Sequence, residues 1–335
     1  MSEPVPIRSS QTTAAGTTLA RPPTMQRHQL RTVVIVAAAA TIVPFLYGGA
    51  YHLSVANLVI TYAIAAVGFY LVFGISGQFA FSHAAFFGLG AYSFVWASRG
   101  VGFWPGLLIG TLITSLVALV FAWTVRRANH FYFAIATLGL SEIALLVFRE
   151  WRAFTGLGGE VAVPHPPSIF GFEFDTEFRM YWFLLVCAAV ALALMALVER
   201  SPLRREAIAM RDHPEVASSV GVPILRVRLV TFVLGSAYAG AAGALFAADQ
   251  GFISPESFGV ALGMNIFLMV ILGGIRNMWG AVIGAAFVVL LPEWLRTFAE
   301  YRELVFAILL VGTILLLPEG LIGIRQAWKR WTRRA

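Results

Sequence analysis

The chain has 335 residues and a net charge of +7; 59% of its residues are apolar and 12% are Asp, Glu, Lys or Arg. A soluble domain carries about twice that charged share, roughly 25%. A soluble globular domain, a disordered chain and a disulfide scaffold are thereby excluded, leaving a polytopic helical membrane protein with apolar residues for about ten spans of about 20 residues each. Of the 24 basic residues 23 are Arg, and the lysine is Lys329. No G-K-[ST] phosphate loop can exist, so the chain has no Walker motif. A Schiff-base lysine within an apolar segment is excluded too. The single Cys187 lies in an apolar run. It rules out an intramolecular disulfide or a cysteine-based zinc site and reads as a small buried apolar residue. The six histidines make no H-E-x-x-H pattern, and there is no Gly-x-Ser-x-Gly elbow. Both facts argue against an intramembrane enzyme.

Residues 1–31 are polar, rich in Ser, Thr, Pro and Arg, and read as a disordered basic cytoplasmic tail, with a transit peptide as the alternative. A transmembrane domain over 32–320 follows. Its apolar segments fall at about 32–51, 53–73, 82–98, 103–125, 131–149, 181–198, 229–248, 258–274, 278–294 and 304–318. The segment 82–98 is short and contains Gly88 and Gly90, so it reads either as a span or as a re-entrant or broken helix. With the amino terminus inside, 18 basic residues fall on the inner side and 6 on the outer. That bias predicts an N-in, C-in bundle of about ten helices. The basic tail over 321–335 carries Trp328, Lys329, Arg330 and Trp331, a pattern that anchors a last span to anionic lipid.

Two loops stand out. The outer loop 150–180 carries Pro164, Pro166 and Pro167 with Glu160, Glu173, Asp175 and Glu177, and suits a receptor-docking surface, a lid or plain filler. The inner loop 199–228 is the longest cytoplasmic connection. Its stretch Leu203–Arg211 consists of helix formers. Asp212 is then expected to cap a second short helix with Pro214 and Glu215 in its first turn and Gly221 as terminator. A short exposed helix carrying small residues suits a protein partner that pushes on it.

Glu215-Val216-Ala217-x-x-x-Gly221 resembles the E-A-A-x3-G signature of ABC importer permeases, with Val216 in place of the middle Ala. Gly74-Ile75-Ser76-Gly77-Gln78-Phe79-Ala80-Phe81-Ser82-His83-Ala84 and its continuation to Tyr92 resemble a block of branched-chain amino-acid ABC permeases of the LivM type. Ala80 and Ser82 depart from that family's usual Ser and Gly. Phe133–Ile143, Thr155–Gly159, Phe252–Phe258 and Val270–Gly274 resemble further blocks, and the likeness runs from about Leu53 to Leu321. It implies an ABC importer permease bundle in a bacterial inner membrane, with branched-chain amino acids as cargo and urea or amides as alternatives. It implies two ATP-binding subunits that hold ATP and Mg, no cofactor in this chain, a second related permease, a periplasmic substrate-binding protein, surrounding membrane lipid and no nucleic acid. Arg204, Arg205, Arg211, Glu215, Ala217 and Gly221 are then the residues that couple to the ATPase.

Ionisable residues inside spans are costly and face a cavity or a partner. Glu142 lies about ten residues from either end of its segment and is the leading candidate for the translocation pathway. Gln78 and His83 join it because they flank a glycine-rich break where freed backbone groups line a cavity. Asp249 and Glu256 read as solvated loop acids, and Glu293 as an outer-interface residue. Four small-residue pairs, Gly106/Gly110, Ser236/Gly240, Ala239/Gly243 and Gly280/Gly284, predict close helix approach. The competing reading is an ion- or proton-coupled carrier with Glu142 as the proton-bearing group.

Overall fold

A computed structural model describes residues 49–155, 159–163, 168–169, 172–295, 307–308, 311–312 and 320–321. The two tails and, apart from a few residues, the predicted segments 32–51 and 304–318 lie outside these, as do Gly156, Gly158, Pro164, Pro166 and Pro167.

Eight apolar helices match the second to ninth predicted segments. They are α1 (Ala50–Phe69), α2 (His83–Val101), α3 (Phe103–Thr124), α4 (His130–Glu150), α5 (Glu177–Arg200), α8 (Ile224–Gln250), α9 (Val260–Gly273) and α10 (Met278–Trp294). Between α5 and α8 lie α6 (Pro202–Asp212) and α7 (Pro214–Ser219). Among the described residues six helices are long and apolar enough to cross a membrane, α9 being counted with the turn before it as Pro255–Gly273; α2 and the 17-residue α10 are not among them. The all-α reading holds apart from two strand pairs of two residues each. β1 (Val161–Ala162) pairs with β4 (Phe252–Ile253), and β2 (Ser168–Ile169) with β3 (Phe172–Glu173), both antiparallel.

α8 sits at the centre, packed on α1, α2 and α3. The α9–α10 hairpin and α5 pack on α1. Small residues set these distances. A Cβ on Gly243 would overlap the Phe87 carbonyl, and one on Gly90 would overlap Gly240. Gly284 meets the Met269 backbone and Gly273 the Gly280 backbone in the same way. All four predicted small-residue pairs therefore lie at close contacts within this chain. Gly88 and Gly90 do not break α2, which runs unbroken from His83 to Val101. They let Phe148, Phe258 and Gly240 approach its axis. The break lies earlier. α1 continues as a π-helical turn, Tyr70–Ile75, and then as an irregular segment to Ser82. Gly77, at φ +70, takes the left-handed turn out of the helix that an L side chain resists.

α4 is held least. Its apolar window is 22% buried, against 78% for α1. The described part of the 150–180 loop is fastened at two points: the Tyr92 hydroxyl donates to the Gly159 carbonyl at 2.6 Å, and β1 is paired to β4. Cys187 on α5 is half-buried rather than buried.

Candidate functional site

The 199–228 loop folds as two helices. α6 starts with Pro202 at its first position, where the missing N–H costs nothing, and buries Ala207 and Met210. α7 begins with Pro214 and Glu215 and closes at Gly221, whose φ of +86 terminates it. Asp212 does not cap α7. It remains in the last turn of α6, where Arg211 Nε donates to its carboxylate at 2.9 Å, and His213 occupies the cap position. That hydrogen bond holds the Asp212 carboxyl below the ordinary carboxylate range. The stronger local pairing with its neighbour removes Asp212 from the capping role.

α7 turns one side chain inward, Ala217. Glu215, Val216, Val220 and Gly221 are exposed, with Val216 at 61% and Val220 at 74%. Arg205 is exposed as well. Arg204 lies beside Tyr70 and is half-buried. Arg211 points into the protein, where Nη1 donates to the Gly74 carbonyl. The six predicted coupling residues thus divide. Arg205, Glu215 and Gly221 lie on the open surface, Ala217 anchors α7, and Arg204 and Arg211 reach toward the break after α1.

Gln78 is buried in that break. Its Nε2 donates to Ser76 Oγ at 2.8 Å, Thr231 Oγ1 at 2.9 Å and the Arg228 carbonyl at 3.2 Å, which ties the segment to the start of α8. His83, in the first turn of α2, is also buried, with its ring edge-on to Phe69 at 4.8 Å. Neither ring nitrogen closes a well-formed hydrogen bond among the described residues, although the Gly235 backbone lies close. Gln78 and His83 therefore share one buried polar seam along α8, at the levels of Thr231 and Gly235.

Glu142 does not join them. α4 buries Phe133, Thr137, Ser141 and Phe148, and carries Ile135, Gly139, Glu142, Ile143 and Leu146 on its exposed face. A Cβ on Gly139 would meet nothing within 4 Å. Glu142 thus stands on an open face, next in sequence to the buried Ser141.

Sequence reasoning missed several polar contacts. The Phe81 N–H donates to Thr137 Oγ1 and its carbonyl accepts from Ser141 Oγ, each at 3.0 Å. The Tyr70 hydroxyl donates to Glu199 at 2.6 Å. Thr137 and Ser141 are four apart on one helix face, a signal visible in the sequence. At the opposite end of the bundle Asn57 is fully buried and donates to Asp249 at 2.8 Å and Glu177 at 3.1 Å, so Asp249 is not a free loop acid. Glu256 pairs with Arg149 at 3.3 Å. Among the described residues no cluster of His, Cys, Asp and Glu is arranged to hold a metal ion.

A model of the permease component of the branched-chain amino acid transport system matches residues 51–315. The chain is 29% identical over 322 residues to the high-affinity branched-chain amino acid transport system permease protein LivM of Salmonella typhimurium, covering 89% of this chain and 75% of that protein. Against LivM of Escherichia coli K12 it is 30% identical over 293 residues, 80% of this chain and 69% of that one. Against the high-affinity branched-chain amino acid transport system permease protein LivH of the same organism it is 28% identical over 291 residues, 78% and 91% of the two chains. No solved structure matches the chain.

Proposed function

The chain belongs to the family of permease components of branched-chain amino acid transport systems, and from that premise we propose that it is the membrane subunit of an ABC importer carrying branched-chain amino acids into a bacterial cell. The observation that carries this reading is α7, a short helix at one end of the bundle with Val216 and Val220 exposed and Ala217 alone turned inward. Apolar side chains offered on a compact loop fit a groove on a soluble partner. That partner is an ATPase, which binds ATP and Mg and hydrolyses the nucleotide, while this chain hydrolyses none. The loop end faces the cytoplasm, in keeping with the distribution of basic residues. The opposite end, with β1 and β4, receives a substrate-binding protein.

The open face of α4 supports a second permease. A carboxylate in mid-span facing hydrocarbon is costly by about 2.5–3.5 kcal/mol on insertion scales. Glu142 therefore borders protein or a wet path, and a related permease subunit packed there supplies both. Replacing Glu142 with Gln is expected to lower uptake about tenfold, the rate equivalent of about 1.4 kcal/mol. Assembly, read by size-exclusion of the purified complex, stays intact. Wild-type uptake would reduce Glu142 to a packing residue.

The test of the whole reading is purification in mild detergent with identification of the bound subunits, then leucine uptake into vesicles. Expected are an ATPase, a second permease and uptake that requires ATP. A chain that purifies alone and transports without ATP is an ion-coupled carrier, and the proposal fails.

A further inference from the structure

The last residue but one of α6, Arg211, pairs through Nε with Asp212 on the loop and turns its Nη1 inward. Its stem fills the space beside Gly77, where a Cβ would collide with it, and its guanidinium caps the Gly74 carbonyl. The final carbonyls of a helix lack partners within it, and a basic side chain from elsewhere satisfies one of them here. The same π turn is held at its other end, where Tyr70 donates to Glu199, the penultimate residue of α5. The inner loop therefore grips Tyr70–Gly74 from both sides, once before α6 and once at its end.

The grip continues beyond the turn. Between Ser76 and Ser82 the chain buries Ser76, Gln78, Ala80 and Ser82 and leaves Phe79 exposed. The Phe81 peptide is clamped on α4 by two hydroxyls one helical turn apart, Thr137 on its N–H and Ser141 on its carbonyl. α4 is otherwise held near its two ends, where Phe133 packs on Phe121 and Phe232 and Phe148 on Tyr92 and Phe258. Gln78 meanwhile hinges the same segment on Thr231 of α8. A π turn carries one residue more than the α-helical repeat, and such turns concentrate at functional sites. Returning it to α-helical register rotates everything beyond it by roughly 100° of helix phase, or shifts it by about 1.5 Å. Gly74 and Gly77 place no Cβ in the way of that change.

We propose that Arg211 is the positioning residue that transmits movement of the 199–228 loop to the π turn, and through the Phe81 clamp to α4, so that Glu142 moves when the loop is pushed. This rests on the reading of the loop as the ATPase-docking element. Arg211 thereby acts inside the permease rather than on the ATPase surface, and Thr137 and Ser141 are the receiving end of the linkage.

The experiment uses the assembled transporter with Cys187 replaced by Ala and Ile143 by Cys, which places a reporter beside Glu142 on the face of α4 that meets the second permease. In this background the labelling rate of the new cysteine is expected to differ between nucleotide-free and ATP-bound complexes. Arg211→Ala is expected to retain ATPase binding and hydrolysis, to lose that nucleotide response, and to lower uptake by about tenfold or more, within the range of typical coupling energies. Arg211→Lys, which keeps a donor and a charge, restores part of it. Thr137→Val with Ser141→Ala cuts the other end and gives the same phenotype without touching the loop, so the inference stays testable if Arg211→Ala fails to assemble. Combined with Arg211→Ala it adds little, because both break one linkage. Wild-type uptake and response in either variant with the ATPase bound overturns the inference alone. A parent complex that recruits no ATPase overturns the functional reading, and this inference with it.

Discussion

A Gly243→Val chain is expected not to accumulate as a folded protein. α8 meets α2 backbone to backbone at this point, and even the Cβ of an alanine would overlap the carbonyl oxygen of Phe87. Extra methylenes in a packed core cost about 1–3 kcal/mol when side chains give way. Here a main-chain carbonyl is the obstacle, and it gives way only if the two helices separate. Separation opens the neighbouring approach of Gly90 to Gly240 and the packing of Thr114 against Gly240. Those contacts lie on the helices that form the centre of the bundle. The combined loss is of the order of the whole stability of a domain, about 5–15 kcal/mol. Gly139→Ala is the control, since nothing stands within 4 Å of its Cβ position. Size-exclusion profiles of detergent extracts decide it. A monodisperse Gly243→Val peak that melts with the wild type would show that the α2–α8 seam can widen without loss.

The same contrast explains what could be read from the sequence. Segment positions were legible because hydrocarbon demands long apolar runs, and the second to ninth predicted segments each correspond to a helix. The short helices of the inner loop were legible because Pro214, Glu215 and Gly221 are local signals whose meaning needs no tertiary context. Facing was not legible. In a soluble helix the apolar stripe marks the buried side. Here both the core and the surroundings are apolar, so periodicity fades and nothing in hydropathy shows that Phe133 and Phe148 are buried while Ile135 and Ile143 are open. Glu142 was found by its charge, but its outward direction was not.

The broken segment failed for a related reason. Gly88 and Gly90 carry the same sequence signal whether a glycine ends a helix or admits a neighbour, and only the positions of Phe258 and Gly240 separate the two. The π turn at Tyr70–Ile75 has no residue signature of its own. Arg211 is similar. Its charge and its place in a basic loop suggested a surface role, whereas its long stem allows the guanidinium to reach a buried helix end at Gly74, 137 residues away in the chain. The polar contacts that join elements, Tyr70 to Glu199 and Phe81 to Thr137, depend on separations that no local pattern encodes.

Placing Asp at both Val216 and Val220 is expected to abolish ATP-driven uptake while leaving the permease folded. The two valines stand four residues apart, so they share one face of the last turns of α7. Both are mostly exposed, and neither supports the bundle; Ala217, the buried residue of α7, does. Removing them therefore costs this chain little, and its melting temperature is expected to stay within a degree or two of the wild type. The partner loses more. Fully burying a valine-sized side chain contributes about 1.5–3 kcal/mol, so losing two weakens docking by about 10²–10⁴-fold before any cost of burying the new carboxylates. Pull-down of the ATPase and nucleotide-dependent uptake should fall together, unlike the Arg211 variants, which keep the ATPase and lose only the response. Gly221→Val tests the same helix from its end, because a φ of +86 is strained for a branched side chain and the turn that sets the angle of α7 must shift. Undiminished ATPase binding by the double Asp variant would mean that the partner grips another surface. The exposed valines would then need a different explanation from the one their position suggests.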